Sequence, residues 1–329
     1  MLISGKVCRH IRTSRFTSIL FEESTRMDRR TFTILYHLLR NVAGLSSIEI
    51  VDVEEMVAMF LHVLAHDVKN HVIQREFVWS SETVSRHFII VLLAVVRLYE
   101  ELIKRPVPVT NNCNDQHWKC FENCLGALDG MYIKVNIPAG DRPTFKTRKG
   151  KIATNVLGCV TRKGISFMSS PVRKDPQQTQ GFYVMPFHET MGYKCQRGFL
   201  APYRGQRYHL QEWRGAANAP TNPKEYFNMK YSSARNVIEH ALGVLKGRWA
   251  ILHGKSYYPL QVQCRTILAC ALLHNLINRE MTYCDDVDDV DEGDSTYVTN
   301  TASEDIHYIE TTNEWSQWRD EQAESMFTD

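Results

Sequence analysis

The chain has 329 residues, 43% of them hydrophobic, which suits one large or two modest domains with a real core. No apolar run reaches the roughly 18 residues that a membrane helix needs, so we expect no membrane partner. The net charge of +2 conceals an asymmetry, because residues 285–329 hold 15 acids and one base, which leaves 38 bases and 22 acids on residues 1–284. A basic body predicts a polyanionic partner; a solvated surface with a disordered tail is the alternative.

The front of the chain has helical periodicity. Apolar residues recur at helical spacing in Met27–Val42 and in Val53–His66, and the second segment carries two acids in its first turn. A short helix is predicted at Val72–Phe77, followed by a turn at Trp79–Ser80. Ser81 then caps a longer helix that runs to about Leu102.

The segment that follows His66 has the pattern of a helix-turn-helix, with a short helix, a tight turn and a longer helix. In that interpretation Ser85, Arg86 and His87 are exposed on the longer helix and contact phosphates or base edges. A plain helical hairpin, whose apolar half is core, explains the same pattern equally well.

After a linker containing Pro106 and Pro108 the pattern changes to strands. The runs "CLGALD" and "MYIKVNI" predict two strands that meet at Asp129-Gly130, "IATNVLGCVT" and "GISFMSSPV" predict a hairpin, and "GFYVMPF" predicts a short strand. From Ala234 onward two helices follow, "SARNVIEHALGVLKGRWAIL" and "CRTILACALLHNLINREM". The chain ends in an acidic low-complexity stretch and a short amphipathic helix.

Two acids stand out in this part of the chain. Asp129 follows an apolar strand and precedes a glycine, which is typical of a turn but also places a carboxylate at a rigid position. Glu239 lies in an apolar helical segment, one turn after Arg235 and two turns before Lys246. A surface ion pair between Arg235 and Glu239 is one explanation. The other is a carboxylate beside a basic strip.

Two basic segments interleave cations with aromatic rings: "DRPTFKTRKGK" at residues 141–151 and "APYRGQRYHLQEWRG" at residues 201–215. Such interleaving suits a groove that follows a nucleic-acid backbone and stacks bases. Together with the helix-turn-helix candidates, the predicted DNA contacts are Arg148, Lys149, Lys151, Arg204, Arg207, Lys246 and Arg248.

Several long motifs, "GALDG", "RKGKIATNVLG", "GFLAPYRGQRYHL", "FNMKYSSARNVIEHALGVLKGRWAIL" and "CRTILACALLHNLINREM", resemble the plant Harbinger-type nucleases. That DDE endonuclease family derives from PIF/Harbinger DNA transposases. The resemblance covers about Phe21 to Met281. It implies a ribonuclease H-like fold in which three acids hold Mg²⁺ or Mn²⁺ for DNA cleavage. Asp129 matches the first acid and Glu239 the last, so both are expected catalytic and metal-binding residues.

The chain departs from the family's pattern at the middle acid. The corresponding Asp-x-Gly-Tyr motif aligns on "TMGY", which puts Thr190 in the place of the aspartate. Glu189 is adjacent, but on a strand it would point to the opposite face. About two helical turns that the family carries nearby are also missing, and the sequence does not separate a true deletion from a wrongly assembled gene.

The predicted fold is therefore α+β, with a helical front of helix-turn-helix character and an incomplete ribonuclease H-like sheet. Its parts are a basic arm (1–20), a helical domain (21–105), a linker (106–120), a nuclease domain (121–281, degenerate over 165–195) and an acidic tail with a terminal helix (282–329).

The predicted function is that of a metal-dependent DNA endonuclease homologue whose cleavage is impaired. A non-catalytic DNA- or chromatin-associated protein and a degenerate gene product are the alternatives. The resemblance further implies a nuclear location and a Myb-like DNA-binding partner.

Overall fold

The structure is a computed structural model. It describes residues 18–48, 51–69, 73, 77, 79–103, 107–110, 112–147, 150–161, 164–168, 183–186, 200–213, 215, 218–255, 258–281 and 313–328.

The described chain is mostly helical, with one small sheet, and so has the predicted α+β composition. The helices are α1 (Ser18–Thr25), α2 (Arg29–Asn41), α3 (Val53–His66), α4 (Ser81–Arg97), α5 (Tyr99–Leu102), α6 (Pro223–Arg248), α7 (Leu260–Glu280) and α8 (Asn313–Thr328). The strands are β1 (Cys124–Lys134), β2 (Ala153–Thr161), β3 (Gly164–Met168) and β4 (Tyr183–Pro186). Short 3-10 turns lie at Ala139–Phe145, Leu210–Trp213 and Ala250–Leu252.

The chain divides into two units. The first comprises Met1–Lys104, Tyr132–Thr154 and Val244–Tyr297, and the second comprises Arg105–Met131, Asn155–Gly243 and Val298–Asp329.

The first unit has a helical core. Helix α4 packs on α3 and on α7, and the ring of Phe88 lies against Phe60 and stacks on Tyr258, with centroids 5.1 and 4.8 Å away. By length and composition α7 could cross a membrane, but 61% of its apolar window is buried inside the protein. Its apolarity is therefore that of a helix packed in a core.

Capping residues explain where the front helices begin. Asp28 accepts a hydrogen bond from the Thr31 amide at α2, and Asp52 accepts one from the Val53 amide at α3. Helix α3 has the predicted bounds. The N-cap of α4 lies one residue before the predicted Ser81, because the side chain of Ser80 accepts the hydrogen bond from the Thr83 amide. The short predicted helix at 72–77 lies mostly outside the described residues.

The predicted exposed surface on α4 is wrong in part. Arg86 is exposed and Ser85 is partly buried, but His87 is only 1% exposed. His87 lies one turn after buried Val84 and one turn before buried Val91, so helical periodicity places it on the apolar face. His87 is therefore removed from the predicted DNA-contacting surface.

The sheet has the strand order β3-β2-β1-β4, with β2–β3 and β1–β4 antiparallel. The expected turn at Asp129-Gly130 is wrong, because β1 runs unbroken through both residues. β1 lies between β2 and β4, and its described pairing with β4 ends at Leu128, yet the strand continues through Asp129-Gly130 beside β2. The extended strand thus overrides the local turn preference of Asp-Gly. The first late helix also begins earlier than predicted, at Pro223 rather than near Ala234.

The second unit is built around an aromatic cluster on α6. Phe227 contacts the rings of Phe121, Tyr203 and Tyr231, with centroids 5.4 to 6.1 Å away. Fully buried Asn228 accepts from the Tyr203 amide and donates to the Tyr203 and Arg207 carbonyls. These bonds hold the loop 200–208 against α6.

Candidate functional site around Asp129, Arg235 and Glu239

Asp129 is partly buried, on a face of β1 that also carries buried apolar side chains. Side chains alternate along a strand, so Asp129 shares its face with Ala127 and Met131, which are 0% and 4% exposed. This burial raises the pKa of Asp129 to about 6. The Arg235 charge and the Gly130 amide, which donates to Asp129 Oδ1 over 2.7 Å, oppose that rise, and the nearby Glu239 charge adds to it.

Glu239 and Arg235 lie one turn apart on α6. Arg235 Nε donates to Glu239 Oε1 over 2.8 Å, and the two side chains are 27% and 46% exposed. The predicted ion pair is therefore present. Because both charges also act on Asp129, the pair lies close to the strand carboxylate, and the structure brings together the two acids that sequence analysis selected.

Tyr208 is a fourth member of the site, and sequence analysis did not single it out. Its hydroxyl accepts from Arg235 Nη1 over 3.2 Å, and its ring centroid is 5.9 Å from the guanidinium carbon. Burial raises the pKa of Tyr208; the charge and hydrogen bond of Arg235 oppose this rise, and the charges of Glu239 and Asp129 add to it. The sequence does offer one indication of Tyr208, because it lies in the aromatic and basic segment 201–215.

The guanidinium of Arg235 is thus the cation of this site. It bonds Glu239, bonds Tyr208 and attracts Asp129. Although burial alone would lower the pKa of Arg235, Tyr208, Glu239 and Asp129 raise it. With both acids ionised, the cluster carries one excess negative charge.

The side chains present fit a pair of divalent metal ions poorly. Mg²⁺ requires compact oxygen ligands in near-octahedral geometry, and one Glu239 oxygen is already bonded to Arg235. Within the part of the chain that the structure describes, no group of three or more His, Cys, Asp or Glu side chains is arranged to hold a metal. Glu189 and Thr190 lie outside the described residues.

The predicted basic DNA contacts fall into three groups. Arg86, Lys151 and Arg204 are exposed. Arg148 and Lys149 lie outside the described residues. The remaining three, Arg207, Lys246 and Arg248, are less exposed and have the partners described next.

Those three cations have internal partners. Arg207 bonds both oxygens of Glu225 and the carbonyls of Asn218 and Ala219. Lys246 Nζ donates to the Tyr132 carbonyl, and burial lowers its pKa. These contacts disfavour a direct role in binding phosphate.

Arg248, the last residue of α6, contacts side chains of helix α7 within the first unit. Its Nη1 contacts Nδ1 of His274 at 2.6 Å and donates to Asn278 Oδ1 over 2.9 Å. Burial and the Arg248 charge lower the pKa of His274 to about 3, so the imidazole is neutral at physiological pH. This cluster joins the end of α6 to α7.

Comparison with known proteins identifies two segments of the chain. Residues 186–275 match the family described as DDE superfamily endonuclease, and residues 17–97 match a domain of unknown function, DUF8040. The match to the DDE superfamily endonuclease family contains Arg235 and Glu239 but not Asp129.

A relative from Arabidopsis thaliana, "Protein ALP1-like", is 31% identical over 186 residues. The matched segment covers 47% of this chain and 43% of the relative, so less than half of that protein is represented. No solved structure matches.

Proposed function

We propose that this chain, a homologue of the Harbinger-type DDE endonucleases, binds DNA but cleaves it weakly or not at all. The observation that carries the proposal is the engagement of Arg235 with Glu239 beside Asp129. In this proposal the sheet and α6 are the remnant of a ribonuclease H-like nuclease core, and the two acids descend from its metal ligands.

DDE superfamily endonucleases depend on divalent metal ions, which offset the negative charge that gathers on the phosphate during hydrolysis. Here a fixed guanidinium takes up one carboxylate, and burial favours the protonated form of the other. By resemblance to the family, Thr190 takes the place of the middle acid, and a threonine hydroxyl carries no charge to balance a metal ion. Each of these features weakens metal binding and so disfavours cleavage.

Charge supports the retention of DNA binding. Residues 1–284 carry a balance of +16, from 38 bases and 22 acids, and Arg86, Lys151 and Arg204 are exposed. Contacts to the DNA backbone would make the affinity fall steeply with salt. We include in the proposal the helix-turn-helix role of α4, now without His87, a nuclear location and a Myb-like DNA-binding partner.

A nicking assay on supercoiled plasmid in Mg²⁺ or Mn²⁺ tests the loss of cleavage. Four proteins are compared: the native chain, Asp129→Ala, Thr190→Asp and the double variant. We expect the native chain and Asp129→Ala to be equally inactive, and Thr190→Asp to recover at most weak nicking. If the native chain nicks DNA and Asp129→Ala abolishes this, the chain is an active endonuclease and the proposal is wrong.

A further inference from the structure

The second unit carries two tyrosine rings with a lysine beside each. Lys224 Nζ lies 5.5 Å from the centroid of the Tyr203 ring, and Lys230 Nζ lies 5.3 Å from that of Tyr226. We call these four residues the tyrosine–lysine strip. Rings that stack on bases, next to cations that contact phosphates, are the combination with which proteins bind single-stranded nucleic acid.

Helix α8 covers this strip. Tyr203 donates its hydroxyl hydrogen to Asp320 over 2.6 Å, and the Arg319 guanidinium lies 4.1 Å from the centroid of the Tyr203 ring. Near the C-terminal end of α8, Phe327 meets Tyr226 edge to face with centroids 6.0 Å apart. Both rings of the strip are therefore in contact with the terminal helix.

The covered side of α8 is anchored by more than these rings. Ala323 and Met326 are 1% and 8% exposed, and Arg319 Nη1 donates to the Ala201 carbonyl over 3.2 Å. Burial and the bond to Asp320 raise the pKa of Tyr203, so its hydroxyl remains a donor throughout the physiological range.

The outer side of α8 has the opposite charge to the strip. The helix contains four acids and one base, and that base, Arg319, is used on the covered side. Glu321 and Glu324 are exposed on this side, and Asp320 is exposed although it also bonds Tyr203. With α8 in place, a surface suited to a polyanion is replaced by one that repels it.

We propose that the tyrosine–lysine strip is a binding surface for single-stranded DNA and that α8 is its competitor within the same chain. The inference rests on the proposed DNA binding; it adds where a single strand binds and how the chain itself limits that binding. A bound strand would stack on Tyr203 and Tyr226 and pair its phosphates with Lys224 and Lys230. It would have to displace α8 to do so.

The test uses the full chain and a release variant, Tyr203→Phe combined with Arg319→Ala. This variant loses the bond to Asp320 and the guanidinium stack but keeps both rings and both lysines of the strip. Tyr99→Phe combined with Arg30→Ala is the matched control, because it makes the same chemical changes at two exposed side chains of the first unit. Affinity for a fluorescein-labelled oligothymidylate is measured by anisotropy, and hydrogen exchange reports the protection of α8.

We expect the release variant to bind about tenfold more tightly than the control variant. Loss of a cation would by itself weaken binding to a polyanion, so the expected gain has the opposite sign to a simple charge effect. Adding Lys224→Gln and Lys230→Gln should abolish the gain. In the native chain, the oligonucleotide should speed hydrogen exchange in α8.

Four results would overturn the inference. If the release variant binds no more tightly than the control, or if the oligonucleotide leaves the exchange of α8 unchanged, α8 is not a competitor, although the DNA binding seen in both variants would stand. An equal gain for a blunt duplex would exclude stacking of bases on the strip. If no variant binds DNA at low salt while all remain folded, the proposed DNA binding fails together with the inference.

Discussion

Two arginine–glutamate pairs involve helix α6, and they differ in how completely the carboxylate is satisfied. Glu225, near the start of the helix, is 9% exposed and accepts from Arg207 Nε and Nη2 and from the amide and hydroxyl of Thr221. The hydrogen bonds from Arg207 and Thr221 lower the pKa of Glu225 to about 2. This pair fastens the loop that precedes α6 to the start of the helix.

Glu239, farther along the same helix, bonds Arg235 and is 46% exposed. Its partner also serves Tyr208 and acts on Asp129, a carboxylate whose pKa is raised instead of lowered. The first pair is a closed structural network, whereas the second leaves an excess of negative charge. An arginine–glutamate pair therefore does not by itself reveal a role; the number of donors around each carboxylate does.

Removal of the closed network should have the largest effect on stability. Glu225→Ala leaves Arg207 and Thr221 without this carboxylate, and we expect a loss of about 2 kcal/mol in the free energy of unfolding, as for hydrogen bonds to a charged group. Urea denaturation at neutral pH measures it, with Glu23→Ala as the exposed control. A loss no greater than that of the control would contradict the structural role.

The same variant has a defined pH dependence. Because the pKa of Glu225 is lowered in the folded state, its contribution is present above about pH 4.5 and is lost as the pH falls toward about 2. The difference between the native chain and Glu225→Ala should therefore shrink as the pH falls below 4.5. A difference that is constant with pH would point to lost packing instead.

Asp129→Asn should act in the opposite direction. Since the pKa of Asp129 is raised to about 6, the folded protein binds this proton more tightly than the unfolded chain does, and stability falls as the pH rises from about 4 to about 6. We expect the variant to gain roughly 1 kcal/mol at pH 8 and little at pH 4. Denaturation at both pH values, with the exposed Asp141→Asn as control, measures this gain, and a variant less stable at pH 8 would refute it.

Glu239→Gln should have the smallest effect on stability. The Arg235–Glu239 pair has the i,i+4 spacing of a surface helix pair, for which about 0.4 kcal/mol is typical. High salt should reduce even this difference in the free energy of unfolding. A loss of stability as large as that of Glu225→Ala would show that the two pairs contribute equally, and would contradict the distinction drawn between them.

Local patterns predicted the helices well where an apolar repeat coincided with a cap. Helix α3 has the predicted bounds because Asp52 caps it and its apolar positions are buried. The same reasoning failed at Asp129-Gly130, where β1 continues as a strand of the sheet in spite of the local turn preference. It failed at His87 because a polar residue after Ser85 and Arg86 was taken as part of a polar face, whereas the helix turns it toward Val84 and Val91.

The sequence by itself determined the α+β composition and selected the two acids of the candidate site, since these depend on residue type and local spacing. Only the tertiary structure decided which cations are engaged within the protein. Arg207 meets Glu225 across 18 positions, and Tyr203 meets Asp320 across 117. Such contacts depend on how the chain returns upon itself, which no local pattern encodes, and for that reason the covering of the tyrosine–lysine strip by α8 could be seen only in the folded protein.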